Sequence, residues 1–356
     1  MPILKKILLG ILSPLFIILL FATAFDVGFT HTATNPATVK RLISDSGIYH
    51  SVVPAVLQQT KSISTAYGAV LATDPSIQSA ANSALPPLFI QQNTEMVIDN
   101  TYDWLNGKIA EPDFKIDLSG SKTLFANKIA DTVQGRLSSL PACSRSQSLA
   151  TAQSGQIDAF NITCLPIGVS PVTVAEQVRA SLAGQQDFLS NTTVTAADIK
   201  NNGSNQSIFT NQLKNAPVQY QRAKKTPALL ILLTILAGAG IVFLSRTWQT
   251  GLRHIGINLV IVGVLMLVFS WALNRIVSTK VVPKIKVNNL VLQQDIHNLA
   301  TDLVQQIDKN YWYFGSIYSV LGAGAIAGAE IFRRRTASPP EIADSTAKAN
   351  KNPARR

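Results

Sequence analysis

Four long stretches of apolar residues divide the chain and set its predicted architecture. They cover residues 7–25, 227–245, 255–273 and 311–332, and the only charged side chain among them is Glu330. An α-helix rises about 1.5 Å per residue, so about 20 apolar residues cross a hydrocarbon core of roughly 30 Å. Helices of water-soluble proteins are rarely apolar on all sides. The pattern therefore predicts four transmembrane helices.

Residues 26–226 have the mixed polar and apolar pattern of a mainly helical, water-soluble domain. Helices are predicted to begin at Asn35-Pro36 and at Pro86-Pro87, the second ending at Asn106-Gly107. The alternation in 114–118 predicts a short strand, and 192–195 a second one. Further helices are predicted in four places: 48–60, from Ser119 or Ser121 through Leu137, 172–183, and 205–222.

Residues 274–310 contain an apolar seam at intervals of three and four residues, which is typical of one face of a helix. We expect this helix to pack against the 26–226 domain, because an apolar face left in water would not order a helix of this length. The tail after residue 332 is rich in Ala, Pro, Lys and Asn and is predicted to be disordered. The seam consists of Leu292, Ile296, Leu299, Leu303 and Ile307.

The predicted fold class is mainly α: a four-helix transmembrane bundle with a mostly helical extracytoplasmic domain that contains a small β element. Lys5-Lys6 before the first stretch and Ala22-Thr23-Ala24 near its end also resemble a cleavable signal peptide. The expected boundaries are 1–25 (first transmembrane helix or signal peptide), 26–226 (extracytoplasmic domain), 227–245 (second span), 246–254 (cytoplasmic loop), 255–273 (third span), 274–310 (extracytoplasmic amphipathic helix), 311–332 (fourth span) and 333–356 (cytoplasmic tail).

Composition and charge support a membrane protein and argue against a nucleic-acid partner. Of the 356 residues 47% are hydrophobic and 14% charged, and the mean hydropathy is +0.21. The net charge is +11, yet residues 26–226 hold 15 basic and 14 acidic side chains, so the excess lies in short segments beside the apolar stretches. This distribution is typical of membrane topology rather than of a nucleic-acid-binding face.

The density of basic residues favours a plasma-membrane protein with both termini inside. Residues 26–226 and 274–310 then lie outside. Counted close to the span ends, the charges do not decide the orientation, because basic residues also flank the spans on the outer side. These are Arg222, Lys224, Lys225, Arg275, Lys280, Lys284 and Lys286.

The two cysteines, Cys143 and Cys164, both fall in the predicted extracytoplasmic domain. An even number of cysteines confined to an oxidising compartment predicts a disulfide, with two unpaired buried thiols as the alternative. Closing a loop of about 22 residues stabilises a domain by roughly 3 kcal/mol in the chain-entropy treatment.

The sequence contains no recognisable catalytic, cofactor or metal motif. The four histidines are scattered, there is no Gly-x-Ser-x-Gly element, and the segment around Lys122 lacks the glycines of a phosphate loop. We therefore expect no enzyme activity, no cofactor and no metal site. Within the spans, small residues at close spacing predict helix packing, either inside the chain or between copies. They are Gly238, Gly240, Gly324 and Gly328.

Several short motifs resemble an uncharacterised group of bacterial four-span membrane proteins. They are the runs 102–108 (YDWLNGK), 114–118 (FKIDL), 140–143 (LPAC) and 164–166 (CLP). In that group a large exported helical domain lies between the first span and three later ones. The resemblance implies this architecture and no activity.

The sequence favours a non-enzymatic membrane protein whose exported domain binds or supports an envelope component. Its predicted partners are the lipid bilayer together with an envelope protein or a second copy of the chain. The alternative is a transport or channel subunit in which the small-residue spans surround a pore.

Overall fold

The computed structural model describes residues 2–60, 74–146, 148, 160, 162–184, 191–200, 206–287 and 289–336. It is mainly helical with a small two-stranded sheet, as the sequence predicts. Ten α-helices lie in the described residues. They are α1 (Pro2–Ala33), α2 (Pro36–Asp45), α3 (Ile48–Thr60), α4 (Pro75–Ala84), α5 (Pro87–Leu105), α6 (Ser119–Ser139), α7 (Pro171–Gly184), α8 (Ala216–Leu244), α9 (Trp248–Ile276) and α10 (Leu290–Thr336).

The chain forms two compact units, which we call the span unit and the polar-helix unit. The span unit comprises residues 1–28, 226–272 and 308–356, and the polar-helix unit comprises 29–225 and 273–307. Among the described residues, four helices are long and apolar enough to cross a membrane, which supports the predicted multi-pass character. These candidate spans are Ile7–Ala33, Ala216–Leu244, Trp248–Lys284 and Leu290–Arg334, each longer than its apolar stretch.

Polar side chains within the span unit are paired across helices. Ser13 on α1 and Asn258 on α9 exchange hydrogen bonds of 3.0 and 3.2 Å, and Asn258 is buried. The hydroxyls of Thr23 on α1 and Thr234 on α8 lie 3.0 Å apart. Each pair gives its polar groups hydrogen-bond partners that lipid cannot provide.

Two hydrophobic cores lie in the described residues of the polar-helix unit. Each core collects residues from elements distant in sequence, so the unit is held by tertiary packing rather than by any single helix. The first, formed by α3, α4, α6 and α7, includes Val53, Leu57, Ile77, Phe125, Ile129, Val133, Leu137 and Val174. The second is centred on Trp104, Phe114 and Phe209.

The sheet consists of β1 (Lys115–Asp117) and β2 (Thr193–Thr195), paired antiparallel with Ile116 opposite Val194. Both strands lie where the alternating pattern predicts them. The helix ends also follow the sequence: Asn35 caps α2 through its side chain, and Gly47 and Gly107 adopt φ of +85° and +72° just beyond α2 and α5. Glycine takes this left-handed conformation at no steric cost.

Two sequence predictions about helices are wrong, and one helix was missed. The residue before α6 is Leu118, and neither Ser119 nor Ser121 caps the helix; instead Asp117 Oδ1 accepts from Ser119 N at 2.9 Å. α8 begins at Ala216 rather than 205, because the preceding residues 206–215 form turns. α4 was not predicted.

The predicted amphipathic helix is the first part of α10, and residues 273–307 belong to the same compact unit as 29–225. Asn289 Nδ2 donates to Ala55 O at 2.7 Å, and Arg41 donates to Gln306 Oε1 at 3.2 Å. The seam is not buried throughout, since Leu303 is 41% exposed. The tail was predicted to be disordered after residue 332, but residues 333–336 are the last residues of α10. The rest of the tail, from 337 onward, lies outside the described residues.

Candidate functional site

An apolar groove of about 270 Å³ lies between the two cores of the polar-helix unit. Among its lining residues, Leu85 and Ile90 pack against the first core, whereas Val97 and Ile116 pack against the second. The groove is therefore a gap left where two separate cores meet. Its lining is completed by Val52, Phe89, Asn93, Thr94 and Leu118.

Local sequence explains why these side chains share one surface. Pro87 starts α5, and Phe89, Asn93 and Val97 follow at intervals of four residues, so they lie on one face of the helix. On β1 and its flank, Ile116 and Leu118 alternate with Asp117, so the two apolar side chains point to the same side. One helix face and one strand face thus form the groove walls.

The groove contains two polar groups, and none of its lining side chains titrates. Asn93 Nδ2 donates to Phe89 O at 2.8 Å, which leaves its carbonyl oxygen able to accept. Thr94 adds a hydroxyl. Ligand sites are commonly apolar with a few placed polar groups that fix orientation. The arrangement suits an uncharged, mostly apolar chemical group and offers no general acid or base.

The titratable groups with shifted pKa values lie elsewhere and have structural roles. Hydrogen bonds from Thr195 lower the pKa of Asp198, and hydrogen bonds from Ser119 lower the pKa of Asp117. Burial raises the pKa of Tyr102, whose hydroxyl donates to Ala33 O at 2.6 Å. In the described part of the chain, no three His, Cys, Asp or Glu side chains converge on a point where they could hold a metal ion.

Cys143 and Cys164 form a disulfide with a sulfur–sulfur distance of 2.00 Å. Two backbone hydrogen bonds run alongside it: Cys143 N donates to Leu165 O and Leu165 N donates to Pro141 O, both at 2.8 Å. The two segments are therefore joined by backbone hydrogen bonds as well as by the disulfide. Most of the enclosed loop lies outside the described residues.

The four glycines that the sequence predicts in helix packing have two different kinds of surroundings. Gly238 and Gly240 on α8 approach α1, where an added Cβ would lie 3.3 Å from the Phe16 ring and 2.9 Å from Leu12 Cδ2. Gly324 and Gly328 on α10 have open space around them, with no described atom within 4 Å of an added Cβ. The structure thus places the first pair in a helix contact and not the second.

One close helix contact in the span unit was not predicted from the sequence. α9 and α10 run antiparallel with Gly256 against Gly322 and Gly263 against Gly315. An added Cβ on Gly256 would lie 2.8 Å from Gly322 O, and one on Gly263 would lie 2.8 Å from Gly315 O. Backbone therefore packs directly on backbone along this line, which we call the glycine seam.

The glycine seam repeats every seven residues on both helices, and the next step pairs Ser270 with Asp308. The buried Ser270 hydroxyl donates to the carboxylate of Asp308. A seven-residue repeat keeps contacts on one side of a pair of helices that wrap around each other. The signal was present in the sequence as Gly256 with Gly263 and Gly315 with Gly322, but only their register across two helices reveals it.

Comparison with known proteins adds no relative: no family model, curated protein or solved structure matches this chain.

Proposed function

We infer that this chain is a non-enzymatic, multi-pass protein of the plasma membrane whose polar-helix unit lies outside the membrane and binds an envelope component. Both termini are inside, and residues 26–226 and 274–310 are outside. Two observations support this orientation. Lys5-Lys6 and the tail are rich in basic residues, as expected of cytoplasmic segments. The disulfide needs an oxidising compartment, which favours an outer location for the unit that contains it.

The observation that carries the proposed binding role is the apolar groove between the two cores. The described residues that line it are aliphatic or aromatic apart from one amide and one hydroxyl, and none of them carries a carboxylate, imidazole, thiol or amine. That composition supports binding without chemistry. The near balance of 15 basic and 14 acidic residues in 26–226 supports a partner other than nucleic acid.

A photo-crosslinking amino acid at Thr94 tests this function in intact cells. Thr94 lines the groove, whereas Gln92 lies on the exposed side of the same helix and serves as the matched control position. We expect an adduct with an envelope protein or lipid from position 94 and none from 92. Equal adducts at both positions, or none at 94, would contradict the proposal.

A second test of the proposed function introduces a charge into the groove. Ile116→Lys places an amine among apolar side chains, and burying an unpaired charge is strongly unfavourable. We expect the adduct at position 94 to fall on the order of tenfold, which corresponds to about 1.4 kcal/mol. An undiminished adduct would mean that the groove is not the binding site.

The alternative function, a transport or channel subunit, is favoured by the open face around Gly324 and Gly328. Glycines spaced by four residues allow close helix association in membranes, and a Cβ added to either glycine meets no described atom within 4 Å. Crosslinking in detergent followed by ion flux measurements in liposomes separates the two functions. A homo-oligomer that conducts ions would favour the channel, and a non-conducting protein that crosslinks at the groove would favour the binding role.

A further inference from the structure

We propose that the basic segment, residues 275–286, binds the headgroups of anionic phospholipids at the membrane surface. The segment holds Arg275, Lys280, Lys284 and Lys286, and no acidic residue occurs between 274 and 294. The proposal concerns a surface different from the groove and does not depend on the groove having a ligand.

Chain connectivity puts the basic segment beside a bilayer. α9 contains the apolar stretch 255–273 and continues without interruption to Ile276, so Arg275 follows the end of that stretch within one helical turn. The helix is followed by a π-helical turn, Val277–Val281, and a 3-10 turn, Val282–Lys284. Because few residues separate the basic side chains from the apolar stretch along the chain, lipid headgroups are the anions that we expect to meet them.

The segment is fixed in place while its basic side chains remain exposed. Val282 is buried, with an exposed fraction of 7%, and His297 Nε2 donates to Ile285 O at 2.9 Å. Thr279 Oγ1 donates to Arg275 O at 2.6 Å and steadies the turn. The four basic side chains are all in the exposed class. A fixed backbone with free cationic ends is suited to holding phosphate groups.

No acidic side chain among the described residues forms an ion pair with the four cations. The described part of the chain contains six contacts between basic and acidic side chains, and none involves a residue of the basic segment. Lys40 with Asp99 and Lys108 with Asp103, at 2.6 and 2.7 Å, show what paired lysines look like elsewhere. Phosphate from outside the protein can therefore serve as the counter-charge.

Apolar side chains are interleaved with the charges. Ile276 and Val281 are 51% and 46% exposed, and Trp271, one turn before Arg275, is 71% exposed. Basic and apolar residues alternating beside a span are typical of segments that lie in the headgroup region, with a tryptophan at the interface. A soluble polyanion would leave these apolar groups in water, whereas a bilayer covers them.

The expected strength follows from the charge. A basic side chain at an anionic membrane surface contributes about 1 kcal/mol. For one headgroup that faces one basic side chain, this is about fivefold in the association constant. The test uses the full chain in phosphatidylcholine vesicles and measures, by electron paramagnetic resonance, the association of spin-labelled phosphatidylglycerol relative to spin-labelled phosphatidylcholine. We expect a preference of about fivefold for phosphatidylglycerol, reduced in about 1 M salt, where the Debye length is about 3 Å.

Three variants locate the preference. The variant R275Q/K280Q/K284Q/K286Q should lose it, and R275K/K280R/K284R/K286R should keep it. The matched control K115Q/K128Q/R145Q/K200Q removes four exposed charges that are distant in sequence from every span and should also keep it. An unchanged preference in the first variant, its loss in the control, or its abolition by excess inorganic phosphate at constant ionic strength would overturn the proposal.

Discussion

In the span unit backbone meets backbone, whereas in the polar-helix unit apolar side chains fill the space between helices. Gly256, Gly263, Gly315 and Gly322 bring backbone atoms of α9 and α10 so close that an added Cβ would clash with them. Ile129, Val133 and Leu137, by contrast, are completely buried in the first core of the other unit. In lipid no hydrophobic force draws helices together, so close packing must supply the attraction. In water, burial of side chains supplies it.

The largest expected effect is at the glycine seam. Gly263→Leu would place a side chain against Gly315 O and Ser319 N, at 2.8 and 2.7 Å from its Cβ, and backbone atoms cannot move aside as side chains can. Overpacking typically costs about 1–3 kcal/mol, and we expect about 4 kcal/mol here because the clash is with backbone. Thermal unfolding in detergent measures it. Gly328→Leu, at an open position on α10, should unfold close to the wild-type temperature. Equal destabilisation by the two variants would contradict the importance of the glycine seam.

A cavity in the first core should cost slightly less. Ile129→Ala empties a site with 0% exposure, and such truncations cost about 2–5 kcal/mol. Ile235→Ala on α8 removes the same atoms from a side chain that is 63% exposed and should change stability little. Denaturant titration of both variants sharpens the comparison. If the two isoleucines prove equivalent, side-chain burial does not distinguish the units.

Loss of the disulfide should destabilise the polar-helix unit by about 3 kcal/mol, because the unfolded loop regains freedom. The cysteines are 21 residues apart. Cys143→Ser with Cys164→Ser tests this by denaturant titration. The companion measurement is thiol labelling of denatured, unreduced wild type, which should give no label until a reductant is added. Full labelling before reduction would contradict the bond.

The smallest effect is a pH dependence at the turn before residue 199. Asp198 Oδ2 accepts from Thr195 N and Oγ1 at 2.8 and 2.7 Å, so its folded pKa lies below the usual 3.8. This carboxylate therefore stabilises the fold above pH 4, and the contribution is lost as the pH falls through the lower folded value. Asp198→Asn should be less stable than wild type at pH 6 and converge with it near pH 3. A constant difference across this range would show another cause.

The spans and several helix ends were predictable because local chemistry decides them. A bilayer requires long apolar helices, and Asn35, Pro36 and Gly47 fix a helix start and end within a few residues. α4 was missed because nearly all its residues are small or polar, and its buried face consists of one isoleucine and three alanines. Such a small apolar face can be recognised as buried only when the helices that cover it are known.

The candidate sites depended even more on tertiary structure. The disulfide followed from counting cysteines, but the groove exists only because residues near 85–97 and 116–118 separate two cores. The glycine seam needs the antiparallel register of α9 and α10, which neither helix encodes alone. The choice of Gly324 and Gly328 followed a spacing rule that holds for association in general and does not say which face of α10 meets α9.

We propose that the polar-helix unit lies on the outer side of a membrane that the chain crosses four times. A reporter enzyme that is active only after export, fused after residues 150, 250, 290 and 340, measures this topology. We expect activity for the fusions at 150 and 290 and none for those at 250 and 340. Activity at 340, or its absence at 150, would contradict it.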